Sequence, residues 1–193
     1  ATEAEVNAAL KAVSDAKAAL VKKDDNNNNN GNNNPAPQVP AVGTTTTVKG
    51  VTYKVTKADA VNGTVSAVKL KATKKTKVTI QDTVKVGNYS FKVTTIGKNA
   101  FKNNKKLKSI VIGNNVKSIG SNAFSKASKL SSVTFKGTKI VKVSRNAFKG
   151  TSSKMKVTVP KKMKSKTLRA LKKNLQKAKI SKKATYNKVA KVK

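Results

Sequence analysis

The chain has 193 residues and carries 43 Lys+Arg against 7 Asp+Glu, a net charge of +36; that length suits one domain with extensions, or two small units. It contains no Cys and no His, which excludes disulfides and any metal or nucleophilic site built on a thiolate or imidazole. No window approaches the ~18 continuous apolar residues of a membrane span, and no basic-then-apolar leader is visible. Because the sequence begins at Ala1, it is expected to be a processed product or a fragment, with any signal peptide removed or upstream.

The charge is unevenly placed. Residues 1–25 hold five acids (Glu3, Glu5, Asp15, Asp24, Asp25) and four lysines; the rest of the chain holds 39 basic groups with only Asp59 and Asp82. Such a surface attracts polyanions without discrimination. Arg145 and Arg169 are the only arginines. Lysine is a hydrated point charge, whereas arginine favours bidentate phosphate and base recognition. The bias points to a solubilising or diffusely electrostatic surface, not to a specific nucleic-acid reader.

In chain order, Val6, Leu10, Val13 and Leu20 recur near helical spacing, with acids at the start and Lys22–Lys23 at the end, so 3–22 is expected to be one helix. Residues 1–23 are therefore assigned as a helical segment, the end of an upstream domain or a stalk. Residues 24–47 pass from Asn to Pro-spaced to Thr-rich sequence, too polar to bury a core, and are expected to be a disordered linker.

From Val48 the pattern becomes β-branched alternation broken at Asn62–Gly63 and Gly87–Asn88, which predicts hairpins over 48–95. A repeat then begins. "IGKNAF" (96–101) returns as "IGSNAF" (119–124) and "VSRNAF" (143–148), so Phe101, Phe124 and Phe148 recur at almost even spacing. Leu107 and Leu130 keep phase, as do Ile110/Ile112, Val133/Phe135 and Val157/Val159. A period of 20–29 with a Leu-x-x-Ile-x-Ile core is the mark of a leucine-rich repeat.

In "LKSIVIG", Leu107, Ile110 and Ile112 are expected inside, with Lys108, Ser109 and Val111 outside. The three phenylalanines are expected to be core plugs, not stacking platforms. Gly97 and Gly120 are assigned to tight turns. The repeats span 96–160. After Pro160, Ser165 is expected to N-cap a helix whose Leu168, Leu171, Leu175 and Ala178 form one stripe. A last short strand through Ala184, Tyr186 and Val189 closes 161–193.

"LKSIVIGNNVKSIGSNAFSKASKLSSVTF" resembles the BspA-type (Treponema-type) leucine-rich repeat, whose unit runs roughly LxxIxIPxxVxxIGxxAFxxCxx. The likeness covers about 48–190. The usual Cys is replaced by Asn104, Ser128 and Ser153, and the usual Pro by Gly113 or Gly137. The fold it implies is a mainly β repeat solenoid: a short array with an N-terminal β-hairpin cap and a C-terminal basic helix cap, preceded by the isolated helix and linker. It also implies an exported, non-enzymatic protein of the bacterial surface, with adhesion or binding of a host protein; the lack of cysteine is compatible with Gram-positive export. The family supplies no binding residue to carry over.

Chemistry is sparse. Asp59 and Asp82 are the repeat region's only acids, and Asp82 in "QDT" suits a turn better than acid/base work. No phosphate loop or metal-ligand spacing is present. No catalytic residue, metal or cofactor is therefore expected. The expected ligand face comprises the outward strand positions Ser109, Val111, Ser132, Thr134, Lys136, Lys156 and Thr158, although exposed strands favour β-branched residues in any case. Expected partners are a protein or glycan at a host or bacterial surface, bound by a monomeric module. The alternatives are adhesion to anionic wall polymers and, less favoured, non-specific nucleic-acid binding.

Overall fold

The structure, a computed structural model, describes residues 38–71 and 75–190. The expected helix over 3–22, and the expected linker up to residue 37, lie outside them. The described residues form two sheets and one helix.

The first sheet is built by β1 (Thr45–Val48), β2 (Val51–Lys57), β3 (Thr64–Leu70), β5 (Thr83–Val86), β6 (Tyr89–Ile96), β8 (Ser118–Ile119) and β10 (Lys142–Val143). Its order is β1-β2-β3-β6-β8-β10, with β5 also on β6. The second sheet is wholly parallel, in the order β12 (Thr185–Val189), β11 (Lys156–Pro160), β9 (Ser132–Phe135), β7 (Ser109–Ile112), β4 (Lys77–Thr79).

β1 begins inside the stretch assigned to the linker. Thr45–Thr47 pair in register with Lys54–Thr52 of β2, because a run of β-branched threonines beside a strand edge forms a strand however polar it is. The hairpins of 48–95 are present as β2–β3 and β5–β6, but this region does more than make hairpins. β3 lies parallel to β6, and β4 lies parallel to β7. The segment thus lays down the first strand that the repeats extend.

Each repeat contributes one strand to the parallel sheet and a two-residue strand to the other wall. Val78, Ile110, Val133, Val157 and Tyr186 form an inner row in register, and the four aliphatic members are at most 4 % exposed. On the opposite wall Ile96, Ile119 and Val143 align. Between the walls Phe101, Phe124 and Phe148 stack as a ladder, with ring centroids 5.2 and 5.0 Å apart and interplanar angles of 10° and 24°. Each such pair adds about 0.5–1.5 kcal/mol beyond area burial. The plugs are core, as the phase of the repeat predicts.

The backbone is stitched in the same phase. The N–H of Phe101 donates to Ala123 O, and that of Phe124 to Ala147 O. That of Phe148 donates to Ala178 O, at the C-terminal end of helix α1 (Ser165–Lys177).

Two expectations, for Ser165 and Val111, are corrected, and the bends of the repeated phrase are specified further. Left-handed backbone in the repeated phrase falls on Asn99, Asn122 and Asn146 (φ 59°, 56° and 58°), not on Gly97 or Gly120. Asparagine tolerates that region where β-branched residues do not. Gly120 has no room for a side chain, as expected at the bend: a Cβ there would sit 2.6 Å from Lys98 N. Ser165 is not the helix cap; Lys164 holds that place, without a side-chain hydrogen bond. Val111 is not exposed. It is only 5 % accessible, flanked in register by Thr79 and Thr134.

Candidate functional site

The outward side of the parallel sheet carries two rows of side chains. One runs Lys77, Ser109, Ser132, Lys156, Thr185; the next runs Thr79, Val111, Thr134, Thr158, Asn187. Neighbouring strands lie about 4.8 Å apart, so each row is a regular ladder of mostly short polar side chains. Strand alternation alone produces this, since the residues between them are the buried inner rows.

Six residues expected on the ligand face, Ser109, Val111, Ser132, Thr134, Lys156 and Thr158, are thereby brought together. Lys136 follows Phe135 at the end of β9, and its N–H donates to Ile112 O. Lys77, Thr79, Thr185 and Asn187 extend the rows and were missed. Their signal was the alternation of "KVTI" (77–80), which matches "SIVI" (109–112) and reads equally as half a hairpin.

The two acids both have structural work. Asp59 pairs with Lys57 Nζ at 2.9 Å and accepts the backbone N–H groups of Val61 and Asn62. The Asn62 amide, then Lys57, then the Val61 amide hold its carboxyl down at about 2. Asp82 accepts the backbone and side-chain N–H groups of Asn114, joining the β4–β5 bend to the turn after β7. Among the described residues no group of three His, Cys, Asp or Glu lies together.

No aromatic ring is fully exposed. The five phenylalanines and Tyr53 are buried, and Tyr89 and Tyr186 are half-buried. Burial pushes the Tyr53 phenol up, against the lowering effect of the Gln81 N–H that it accepts. Burial also raises that of Tyr186, whose ring lies 4.7 Å beneath Lys172 Nζ. No fully exposed ring offers a stacking platform for a single-stranded base. Arg145 and Arg169 are exposed on separate elements. No helix of the described residues is long and apolar enough to cross a membrane.

A family model described as "BspA type Leucine rich repeat region (6 copies)" matches residues 94–190. No curated protein matches. Among solved structures, a leucine-rich repeat protein from Bacteroides capillosus aligns over 74% of this chain and 98% of its own, at 20% identity and TM-score 0.53. A leucine rich cell surface protein from Faecalibacterium prausnitzii aligns at 26% identity and TM-score 0.48, covering 61% of this chain and 37% of that one. A leucine-rich repeat protein from Bacteroides ovatus aligns at 22% identity and TM-score 0.45, covering 60% of this chain and again 37% of that one. The chain thus spans little more than a third of those last two proteins.

Proposed function

Because the chain belongs to the BspA-type leucine-rich-repeat family, we propose that it is a non-catalytic binding module displayed at a bacterial surface. Its ligand face is the outward side of the parallel sheet. Repeat proteins offer such a surface because stacking holds each unit's outward residues in fixed register. The observation that carries the reading is the pair of polar ladders, whose serines, threonines and lysines can donate and accept hydrogen bonds across several strands.

In this reading the hairpins over 48–95 close one end of a short solenoid and α1 closes the other. Residues 1–23 end an upstream domain or stalk, and the Asn-rich stretch that follows serves as the tether, the part of the 24–47 segment from Val39 on being tied to the fold. The ligand is a protein or glycan of a host or bacterial surface. Membership of the family supports the surface placement.

The test uses beads coated with the whole chain against immobilised extracellular proteins and glycans. Together, Ser132→Glu, Thr134→Glu and Thr158→Glu should abolish whatever capture the parent shows, at unchanged unfolding midpoint. Capture that survives all three substitutions refutes the face. Hydrolysis of a captured ligand, lost on a point substitution within 48–193, refutes the non-catalytic part.

A second reading rests on charge alone. With 39 basic groups and two acids beyond residue 25, the surface is suited to anionic wall polymers through many weak contacts. Retention on cell walls should fall steeply as salt shortens the Debye length from about 10 Å toward 3 Å. Salt-independent retention rejects it. Nucleic acid is the weakest candidate, given lysine in place of arginine and the buried rings.

A further inference from the structure

A concavity separate from that face lies where the repeats cross from the parallel sheet to the other wall. It is a groove of about 860 Å³, floored by β3, β6, β8 and β10 and rimmed by the turns 114–116 and 137–140. Four lysines line it: Lys92, Lys117 and Lys142 from or beside adjacent strands, and Lys139 from the second turn. The Lys142 N–H donates to Lys117 O, and the Lys117 N–H to Thr94 O, so Thr94, Lys117 and Lys142 sit on successive rungs.

In a protein this basic, lysines alone distinguish nothing. Three further features do. First, neutral hydrogen-bonding side chains line the groove beside the lysines: Thr94, Thr138 and Asn62, together with Thr64 and Ser118, whose hydroxyls also pair with Thr56 and Thr95. Second, no carboxylate lines it. The two nearby acids lie against its rim with their carboxylates already bonded, Asp59 to Lys57 and the Asn62 N–H, and Asp82 to Asn114.

Third, apolar exposure and departure from the repeat both concentrate here. Among the described residues the exposed large hydrophobics are Val42, Val61 and Ile140. Ile140 lines the groove, and Val61 adjoins Asn62 of its rim. The stretch from Phe135 to Val143 is one position longer than its counterpart from Ile112 to Ile119. The insertion that lengthens the third unit therefore falls within the turn that carries Thr138, Lys139 and Ile140 into the groove.

Hydroxyl and amide groups, positive charge and a little exposed hydrocarbon, in one concave site without acids, complement a ligand of matching composition. That ligand has many hydroxyls, C–H faces and a negative group. We propose that the groove binds an acidic oligosaccharide, whose carboxylates meet the lysines while its hydroxyls pair with the threonine, serine and asparagine side chains.

The experiment measures binding by the full chain at physiological salt, by calorimetry and by amide chemical shifts. The probes are tetragalacturonate, its methyl ester (same hydroxyls, no charge) and tripolyphosphate (charge, no sugar hydroxyls). Tetragalacturonate should bind, with shifts confined to the groove strands and the 137–140 turn, and the ester should bind about tenfold more weakly. The pair K117Q/K142Q should lose about tenfold in affinity, while K166Q/K173Q on exposed positions of α1 should change it less than about twofold. T94V/T138V should weaken tetragalacturonate several-fold and leave tripolyphosphate unchanged.

Absence of tetragalacturonate binding overturns the proposal. So do shifts spread over the whole lysine surface, or equal losses in K166Q/K173Q and K117Q/K142Q. So does undiminished tetragalacturonate binding by a folded T94V/T138V. Should that variant fail to unfold cooperatively, the ester and the two lysine pairs decide. The triple variant Ser132→Glu, Thr134→Glu and Thr158→Glu leaves this groove intact, so its failure and that of the sheet face are told apart.

Discussion

Gly113 and Gly137 follow neighbouring strands of the parallel sheet one register position apart, and their substitution by alanine should have different outcomes. A Cβ on Gly113 would lie 2.6 Å from Asp82 Oδ1, 2.8 Å from Ile80 O and 2.9 Å from Gln81 O. Two of those atoms are backbone carbonyls of the β4–β5 bend and cannot rotate aside. Relief requires the bend and the turn to separate by roughly half an ångström, an overpacking cost of about 1–3 kcal/mol. The shift also strains the Asn114–Asp82 hydrogen bonds. Against this stands about 0.4–1 kcal/mol from the stiffer unfolded chain, leaving a net loss of about 1–2 kcal/mol. On Gly137 the same Cβ meets one atom at 3.1 Å, Asn114 O, and then only ordinary contacts at 3.5 and 3.6 Å. Gly137→Ala should stay within about 0.5 kcal/mol of the parent. Equilibrium urea unfolding of both variants decides the matter. Equal stabilities, or a larger loss at Gly137, would refute the claim that the first bend presses on the second turn.

In the aromatic ladder, a double-mutant cycle of Phe101→Leu and Phe124→Leu should give a coupling of about 1 kcal/mol in urea unfolding, whereas Phe101 with Phe148, separated by Phe124, should be additive within about 0.5 kcal/mol. At Asn122, with φ 56°, alanine should cost about 1–2 kcal/mol and glycine much less; equal costs would show that the side chain and not the backbone fixes this residue. Asp59 should titrate at about 2 by carbon-detected NMR. Its folded value lies below the usual carboxylate range, so its contribution to stability is present above that range and fades as pH falls through about 2. Titration at the ordinary value in the folded chain would remove that contribution.

The repeat, its phase and its core were legible because they are written in side chains that recur at almost even spacing. Ile110, Val133 and Val157 could be aligned from sequence, and they are neighbours in one sheet. What sequence concealed depends on neighbours that carry no period. β4 belongs to the parallel sheet although "KVTI" also fits a hairpin, because only the approach of β7 decides between the two. Val111 is buried although it faces outward, which alternation within one strand does not report. The outward positions of the three central strands were legible, but not the continuation of their rows onto β4 and β12. The groove was not legible at all, since Lys92 and Lys142 lie two repeats apart in the chain.

The backbone bond from Phe148 to Ala178 has a consequence for how such an array can change length. The C-terminal end of α1 holds the place that the back wall of a fourth unit would need, so a repeat appended behind Phe148 must first evict the helix. A unit duplicated between Phe101 and Phe124 meets no such obstacle, because its amides and carbonyls find on either side the partners they already have. Growth of this lineage is therefore expected from within, by internal copying of one whole unit, with both extremities inherited unchanged. An engineer lengthening the parallel sheet should cut in the same place.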